Sequence, residues 1–350
     1  MAGRAFEASR GRALSGLGIP ALTWDMTKAG LSPAGSRAVP SQMTTHLLLV
    51  CEGLLMANQT RMAPTSALRQ VRVDDVEFHL EEVGSGKPLL MLHGGPGIGH
   101  SYLRPGMDAL ADAYRAIYYD QRGSGRTPLG DEGKVTLAGG IADLEGLRRK
   151  LGIKRLNLVG HSFGAILGLL YASRHPEAVA SLVVANPGPP FVPELMAQFG
   201  AAMGKRYSAE EAKEKMELEA SAAYAKRDPK AVEQAFRLTY LPFFKSRKDA
   251  DAVDFGFTQT TARNAPLAAG RTFRDLAELR PVEGLARIAC PTLVVHAELD
   301  PLPEAFSRLV ADKIPKSEFK FIGGANHFAY LDDPGAFFGV ARAFLQENAE

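Results

Sequence analysis

Short apolar runs alternate with segments of helical periodicity along the chain from about residue 68 onward. The stretch 69–86 predicts two strands joined by a turn at Asp74 and Asp75. Further apolar runs predict strands over 88–93, 114–120, 155–160, 179–187, 291–297 and 317–324. Apolar residues at helical spacing predict helices over 137–152 and 165–175, and two more helices follow in the last 50 residues.

The alternation is interrupted once, by a long segment without strand character. Residues 188–285 are rich in Ala, Glu, Lys and Met at helical spacing, as in "AEEAKEKMELEASAAYAKRD". Apolar strands that alternate with helices predict a sheet covered on both faces. We therefore expect an α/β fold with a mostly parallel eight-stranded sheet. Its core would comprise 67–187 and 286–350, with 188–285 inserted as a helical lid.

The first 66 residues lack a sustained period and are rich in Ala, Gly, Ser, Arg and Pro. This composition predicts a mostly disordered N-terminal extension. The apolar run 46–57 is interrupted by Glu52 and is shorter than the roughly 18 residues that span a bilayer. It is also a poor secretion signal, so we expect a cytoplasmic protein without a membrane partner.

Charge and cysteine content exclude several classes of function. The chain has 41 Lys and Arg against 39 Asp and Glu, so a nucleic-acid partner is not expected. The two cysteines, Cys51 and Cys290, are too few for a metal cage, and the histidines show no HExxH spacing. We expect neither a metal nor another cofactor. The oligomeric state is left open.

The segment "GHSFG", residues 160–164, fits the pattern G-x-S-x-G between a predicted strand and a predicted helix. In that context a sharp turn exposes the serine hydroxyl at the carboxyl edge of the sheet. Gly160 and Gly164 avoid collisions with the neighbouring strand and helix. Ser162 is therefore the candidate nucleophile.

A serine nucleophile needs a base, and the usual chain order is Ser, acid, His. His327 lies after the last predicted strand, in a loop that opens on the same sheet edge. Asp300 follows the preceding strand and is the candidate acid that orients the imidazole. Glu298, two residues earlier, is the alternative acid.

The loop "HGGPG", residues 93–97, follows a predicted strand and lets the backbone approach a ligand. An oxyanion hole needs backbone N–H donors. Phe163, the residue after the nucleophile, supplies one candidate. Gly95 is the first choice for the other, and its neighbour Gly94 is the alternative donor or a substrate contact.

These motifs together resemble the proline iminopeptidase branch of the α/β-hydrolase superfamily. The resemblance rests on "HGGPG" followed by "DQRGSGRT", residues 120–127, and covers about 280 residues. It implies removal of an N-terminal residue, usually proline, from peptides, with Ser162, Asp300 and His327 as triad and Gly95 and Phe163 as oxyanion donors. This chain departs from typical members, which carry Trp or Tyr where Phe163 stands.

Substrate recognition is less sharply predicted. Tyr240, Phe243 and Phe244 would line a pocket for a proline ring or would simply pack in the lid core. The resemblance also implies carboxylates that bind a free amine, and the lid offers several: Glu194, Glu217, Glu219 and Glu233.

The remaining polar residues near these motifs have structural interpretations. His161 is expected to pack in the turn, and Asp120 and Arg122 to fix their loop by hydrogen bonds.

We expect a serine hydrolase acting on a small peptide, as an aminopeptidase. The alternatives are an esterase or lactonase acting on a small acyl substrate, and a non-catalytic ligand-binding relative.

Overall fold

The computed structural model describes residues 66–189, 192–279 and 281–350. The predicted extension, with the apolar run 46–57 and Cys51, lies outside the described residues, apart from Ser66. The strands are β1 Ser66–Val73, β2 Val76–Val83, β3 Lys87–Leu92, β4 Tyr114–Tyr119, β5 Leu156–His161, β6 Val179–Ala185, β7 Thr292–Ala297 and β8 Ser317–Ile322.

The eight strands form a single sheet in the order β1-β2-β4-β3-β5-β6-β7-β8. β2 runs antiparallel to β1 and β4, and the other neighbouring strands are parallel. The predicted mostly parallel eight-stranded sheet is thus confirmed. Asp74, at φ 49°, makes the turn between β1 and β2 where the sequence predicts one.

Helices connect the strands and also fill the predicted insertion. The α-helices are α1 Arg104–Met107, α2 Leu137–Lys150, α3 Phe163–Arg174, α4 Pro193–Arg206, α5 Ala209–Glu219, α6 Ala222–Ala225, α7 Pro229–Tyr240, α8 Arg247–Ala252, α9 Gln259–Leu279, α10 Glu304–Lys313, α11 Ala329–Asp332 and α12 Pro334–Asn348. Short 3₁₀ helices cover His100–Leu103, Asp108–Asp112, Glu132–Lys134, Pro176–Ala178, Leu241–Phe243 and Pro281–Arg287. Between β6 and β7 the described chain forms helices α4–α9.

Alternate residues of each strand face opposite sides of the sheet, so the sheet has two apolar cores. In β3, Leu90 and Leu92 belong to one core, which also contains residues of α2, α3 and α10. Leu89 and Met91 belong to the other, together with residues of α1, α11 and α12. Both faces are covered, and the carboxyl ends of β3, β5, β6, β7 and β8 meet at one sheet edge.

Two negative findings apply to the described residues. No helix among them is long and apolar enough to cross a membrane. Within the same ranges, no group of three or more His, Cys, Asp or Glu side chains is placed to hold a metal ion.

Candidate active site

Ser162 stands at the junction of β5 and α3 in a strained backbone conformation. Its φ is 56° and its ψ is −123°, in a region that costs a non-glycine residue about 1–3 kcal/mol. The two flanking glycines are required sterically. A Cβ on Gly160 would lie 2.6 Å from the Ala165 Cα, and one on Gly164 would overlap the Leu92 carbonyl oxygen. The predicted sharp turn, with its crowded glycines, is present.

The glycine loop after β3 lies directly against Ser162. A Cβ added to Gly94 would come within 2.7 Å of the Ser162 Cβ. The Gly94 N–H already donates to the Tyr102 hydroxyl oxygen at 2.6 Å. Gly95 adopts φ 54° and lines the same cavity as Ser162. Gly95 thus remains the better of the two predicted oxyanion donors.

Phe163 is the first residue of α3. The N–H groups of the first helical turn have no acceptor within their own helix. The Phe163 N–H is one of these groups and follows Ser162 directly, so it meets the requirement for a candidate second oxyanion donor.

Asp300 and His327 are brought together from the ends of β7 and β8. The His327 Nδ1 lies 2.8 Å from the Asp300 Oδ2, and both side chains are buried. Asp300 Oδ2 also accepts from the Asn186 Nδ2 at 2.7 Å, and its Oδ1 accepts from the Leu302 N–H at 2.9 Å. The carboxylate thus accepts three hydrogen bonds and fixes the His327 ring.

The surroundings of Asp300 favour its charged form. Burial tends to raise the pKa of the Asp300 carboxyl, but the charge and hydrogen bond of His327 outweigh it and hold the pKa below its ordinary value. An ionised carboxylate beside Nδ1 keeps the proton on that nitrogen and leaves Nε2 free to accept one.

Glu298, the alternative acid, faces elsewhere. Its residue is exposed, and its Oε2 accepts a hydrogen bond from the Gly324 N–H at 2.6 Å. This contact fixes the loop before His327. The geometry therefore favours Asp300 over Glu298 as partner of the imidazole.

A cavity of about 410 Å³ opens beside Ser162. Its walls come from the sheet edge and from helices α4, α7 and α9, and of the described residues that line it none carries a charge. The lining residues are Gly95, Pro96, Ser162, Phe163, Gly188, Pro189, Met196, Phe199, Gly200, Met203, Thr239, Tyr240, Phe243, Phe273 and Leu302. Ser162 and His327 also share a narrow space of about 10 Å³ with Gly95, Tyr102 and His161.

The three aromatic residues predicted to line a pocket are divided between two environments. Tyr240 and Phe243 line the cavity, and their rings stack on each other with centroids 5.4 Å apart. Phe243 also packs against His327 at 4.5 Å. Phe244 does not line the cavity; it is buried and stacks on Phe328 at 4.3 Å. Phe244 thus packs in the same apolar core as Phe328, away from the lining of the cavity.

The acidic residues singled out in the inserted segment lie outside the described cavity lining. Glu219 pairs with Lys215 at 2.7 Å, and Glu217 with Lys213 at 3.7 Å. Glu233 pairs with Arg237 at 2.7 Å, while Glu194 is exposed. The three pairs have the i,i+4 spacing of a helix surface.

Asp120 and Arg122 make the hydrogen bonds by which the sequence predicts that they fix their own loop, residues 120–127. Asp120 accepts hydrogen bonds from the His100 N–H at 2.9 Å and the Arg126 N–H at 2.8 Å. Its Oδ1 also contacts the His100 Nδ1 at 2.8 Å, and Glu81 contacts the other ring nitrogen at 3.2 Å. Burial tends to lower the pKa of His100, but these two carboxylates raise it above its ordinary value.

Arg122 joins the loop 120–127 to α2 and to the turn between β1 and β2. Its guanidinium donates to both carboxylate oxygens of Asp143, at 2.9 and 2.7 Å, and to Asp75 at 3.0 Å. Such bidentate pairs define a geometry as well as a charge contact.

Three residues, Asn186, Tyr102 and His161, make hydrogen bonds at the site that the sequence analysis did not predict. Asn186 follows β6 at the same sheet edge, and its polar side chain after a buried strand was an available signal. Tyr102 lies in an irregular segment without periodicity, so no sequence pattern pointed to it. His161 was expected only to pack, yet its ring makes two hydrogen bonds.

The sheet order and the strand–turn–helix at Ser162 are those of the α/β-hydrolase fold, with Asp300 and His327 at the same sheet edge. The chain belongs to the alpha/beta hydrolase fold family, whose model matches residues 87–334.

Within that family, the chain is similar to proline iminopeptidases. It is 26% identical to the proline iminopeptidase of Saccharolobus solfataricus over 289 residues, which cover 75% of this chain and 86% of that protein. It is 42% identical to the proline iminopeptidase of Xylella fastidiosa strain 9a5c over 115 residues, which are 32% of this chain and only 36% of that protein. A solved structure of a proline iminopeptidase-related protein from Thermus thermophilus matches with a TM-score of 0.61 and 25% identity, over 81% of this chain and 99% of that one.

Proposed function

We propose that the chain is a serine hydrolase that works by acyl transfer through Ser162. The observation that carries the proposal is the buried Asp300–His327 pair, at 2.8 Å, whose imidazole lines the same narrow space as the strained Ser162. A nucleophile, a base and an orienting acid in this arrangement support acyl transfer.

The proposed reaction has two halves. Ser162 Oγ attacks a carbonyl carbon while His327 Nε2 takes the serine proton, and the ionised Asp300 stabilises the resulting imidazolium. The Gly95 and Phe163 N–H groups donate to the oxyanion. His327 then protonates the leaving group, and an acyl-enzyme remains. Water, deprotonated by His327, attacks the acyl-enzyme, releases the acid and restores Ser162.

The inserted helices would act as a lid, the role predicted for residues 188–285. Met196, Phe199 and Met203 of α4, with Tyr240 of α7, form the outer wall of the cavity. Because this wall is apolar, it would select an acyl group with little charge and exclude bulk water from the acyl-enzyme.

The similarity to proline iminopeptidases supports release of N-terminal proline, or of another small residue, as the first candidate activity. An apolar cavity of about 410 Å³ has room for a pyrrolidine ring. The aromatic faces of Tyr240 and Phe243 are suitable surfaces for it.

A second candidate, an esterase or lactonase on small acyl substrates, is supported by the uncharged lining of the same cavity. An aminopeptidase must hold a free ammonium, and leaving such an ion unpaired in an apolar site is costly. Among the described residues that line the cavity there is no carboxylate. A neutral acyl group meets no such cost.

Three substrates distinguish the candidates: proline β-naphthylamide, its N-acetyl form and p-nitrophenyl acetate. A charged hydrogen bond to the amine contributes about 1.5–3 kcal/mol, so an aminopeptidase with two such bonds should cleave the free amide at least about a hundredfold faster than the blocked one. Equal rates would reject the aminopeptidase and favour the esterase or lactonase. Ser162→Ala serves as control, because full activity in that variant would reject the serine hydrolase itself.

A further inference from the structure

A chain of hydrogen bonds joins the glycine loop after β3 to the loop that carries His327. The Gly94 N–H donates to the Tyr102 hydroxyl oxygen at 2.6 Å. The Tyr102 hydroxyl lies 2.9 Å from the His161 Nδ1, and the His161 Nε2 lies 3.0 Å from the His327 carbonyl oxygen. Tyr102 and His161 are each only 2% exposed, so water does not compete for these contacts.

The chemistry of the groups fixes the direction of this chain. A carbonyl oxygen only accepts, so the proton of His161 is on Nε2 and is donated to His327. Burial, together with the nearby His327, lowers the pKa of His161 to about 3, so its ring is neutral and Nδ1 is an acceptor. The Tyr102 hydroxyl therefore donates to Nδ1 and accepts from Gly94. Each donor has one acceptor, and a single His161 tautomer satisfies them all.

A neutral ring at residue 161 suits the charge that develops next to it. The His161 and His327 ring centroids are 4.7 Å apart, and His327 becomes a cation when it takes the serine proton. A permanent charge at 161 would oppose that step. His161 instead holds the His327 carbonyl without charge, while the His327 N–H donates to the Asn326 Oδ1 at 2.8 Å. The backbone of the base is thereby fixed on both sides.

The same series of hydrogen bonds also distinguishes the roles of the Gly94 and Gly95 N–H groups. The Gly94 N–H is bound to the Tyr102 hydroxyl, so it is not free to bind an oxyanion. Gly95, which lines the cavity, is left as the donor from this loop. Tyr102, which holds the glycine loop, and His327, the proposed base, are thus joined through His161, the residue directly before the nucleophile.

We propose that Tyr102 and His161 are positioning residues that hold the oxyanion loop and His327 in register with Ser162, a role that rests on the proposed serine hydrolase function. Displacements of about 1 Å in such an arrangement cost about a hundredfold in rate. Neither residue exchanges a proton with substrate.

Tyr102→Phe tests the proposal on p-nitrophenyl acetate. The loss of one hydroxyl should lower kcat about tenfold to a hundredfold and change KM less than about threefold, because the oxyanion contacts matter in the transition state. Affinity for phenylboronic acid, whose serine adduct is tetrahedral, should fall by the same factor as kcat/KM. A merely structural role would not link these two losses.

Tyr171→Phe is the matched control. It removes the hydroxyl of another buried tyrosine, which donates to Glu145 at 2.7 Å and lies outside the proposed site. Its kcat should stay within about twofold of wild type, because residues with no shared partners act independently of one another. Equal kcat in Tyr102→Phe, Tyr171→Phe and wild type would overturn the positioning role.

Two His161 variants decide the matter if Tyr102→Phe does not fold. His161→Gln keeps an amide donor near the Nε2 position, whereas the shorter His161→Asn does not reach the His327 carbonyl. We expect the Gln variant to retain at least about ten times the kcat of the Asn variant, as loss of one buried hydrogen bond predicts. Equal kcat in the two variants would count against the proposal.

The double variant Tyr102→Phe/His161→Asn should lose little more than the worse single variant, because both act through one chain. Losses that multiply would contradict a shared role. Ser162→Ala separates the two levels of inference: an active Ser162→Ala refutes the hydrolase mechanism, whereas an inactive Ser162→Ala beside a fully active Tyr102→Phe refutes only the positioning role.

Discussion

Replacing Asp300 with Asn removes the charge of a carboxylate that accepts three hydrogen bonds. Its Oδ2 accepts from the His327 Nδ1 at 2.8 Å and from the Asn186 Nδ2 at 2.7 Å. Its Oδ1 accepts from the Leu302 N–H at 2.9 Å. An amide has a single acceptor oxygen, so the substituted side chain cannot satisfy both sides of this site.

Either orientation of the new amide harms the base. If its NH₂ faces His327, the imidazole must accept at Nδ1 and carry its proton on Nε2, where it cannot take the serine proton. If its NH₂ faces Leu302, two donors meet and the imidazolium still loses its counter-charge. The corresponding change in a comparable triad lowers kcat about 10⁴-fold, or about 5 kcal/mol. We expect a loss of about 10³- to 10⁴-fold here.

The assay is steady-state hydrolysis of p-nitrophenyl acetate, with thermal unfolding to show that the variant is folded. Glu298→Gln is the matched control, since it neutralises an exposed carboxylate two residues away whose bond goes to the Gly324 N–H. Its kcat should remain within about threefold of wild type, as for surface changes. A folded Asp300→Asn with kcat within about tenfold of wild type, or a larger loss in Glu298→Gln, would refute the assignment of the acid.

Three further outcomes are expected. Gly200 lines the cavity, and a Cβ there meets no atom within 4 Å. A leucine side chain would displace part of a longer acyl chain, at about 0.8 kcal/mol per CH₂ group that is no longer buried, so Gly200→Leu should lower kcat/KM for p-nitrophenyl hexanoate at least about tenfold and spare p-nitrophenyl acetate. Equal losses on the two esters would contradict the cavity as the acyl site. Gly164→Ala should lower the free energy of unfolding by about 1–3 kcal/mol, because the new Cβ overlaps the Leu92 carbonyl. Gly200→Ala, in an exposed helical position, should raise it by up to about 1 kcal/mol. Urea unfolding measures both, and a Gly164→Ala protein more stable than Gly200→Ala would contradict this reasoning. The folded pKa of His100 is raised, so its stabilisation is complete below the unfolded value of about 6.5 and is lost as pH rises through the folded pKa. The free energy of unfolding should thus differ more between wild type and His100→Gln at about pH 5.5 than at about pH 9, and a larger difference at the higher pH would be inconsistent with this sign.

The sheet and the loop positions of the candidate triad could be predicted because they depend on local patterns. Buried parallel strands are continuous apolar runs, and their carboxyl ends share one edge whatever the details of packing. This suffices to bring the loops of Ser162, Asp300 and His327 together. The turn at Ser162 has its own signature in the flanking glycines.

The contacts that refine the site could not be predicted, because they join residues far apart in sequence through single side chains. Tyr102 and His161 are 59 positions apart, and only the folded chain shows that their side chains meet. The inserted segment is a similar case, because helical spacing predicts its helices but does not say which of their faces lines the cavity. Residue types alone left open whether Phe244 lines a pocket or packs in a core and which glutamate would bind an amine. Only the packing of the helices shows that Phe244 stacks on Phe328 and that Glu219 and Glu233 pair with neighbours on their own helices.

The most direct test of the account is the site of covalent modification by phenylmethylsulfonyl fluoride, which sulfonylates activated serines. Mass spectrometry of the digested protein should find the adduct on the peptide that contains Ser162, and its growth should parallel the loss of p-nitrophenyl acetate hydrolysis. Ser162→Ala should neither hydrolyse the ester above about 10⁻⁴ of the wild-type kcat nor acquire the adduct, since triad members act as a unit. Hydrolysis that persists in Ser162→Ala, or inactivation that accompanies an adduct on a different residue, would contradict Ser162 as the nucleophile.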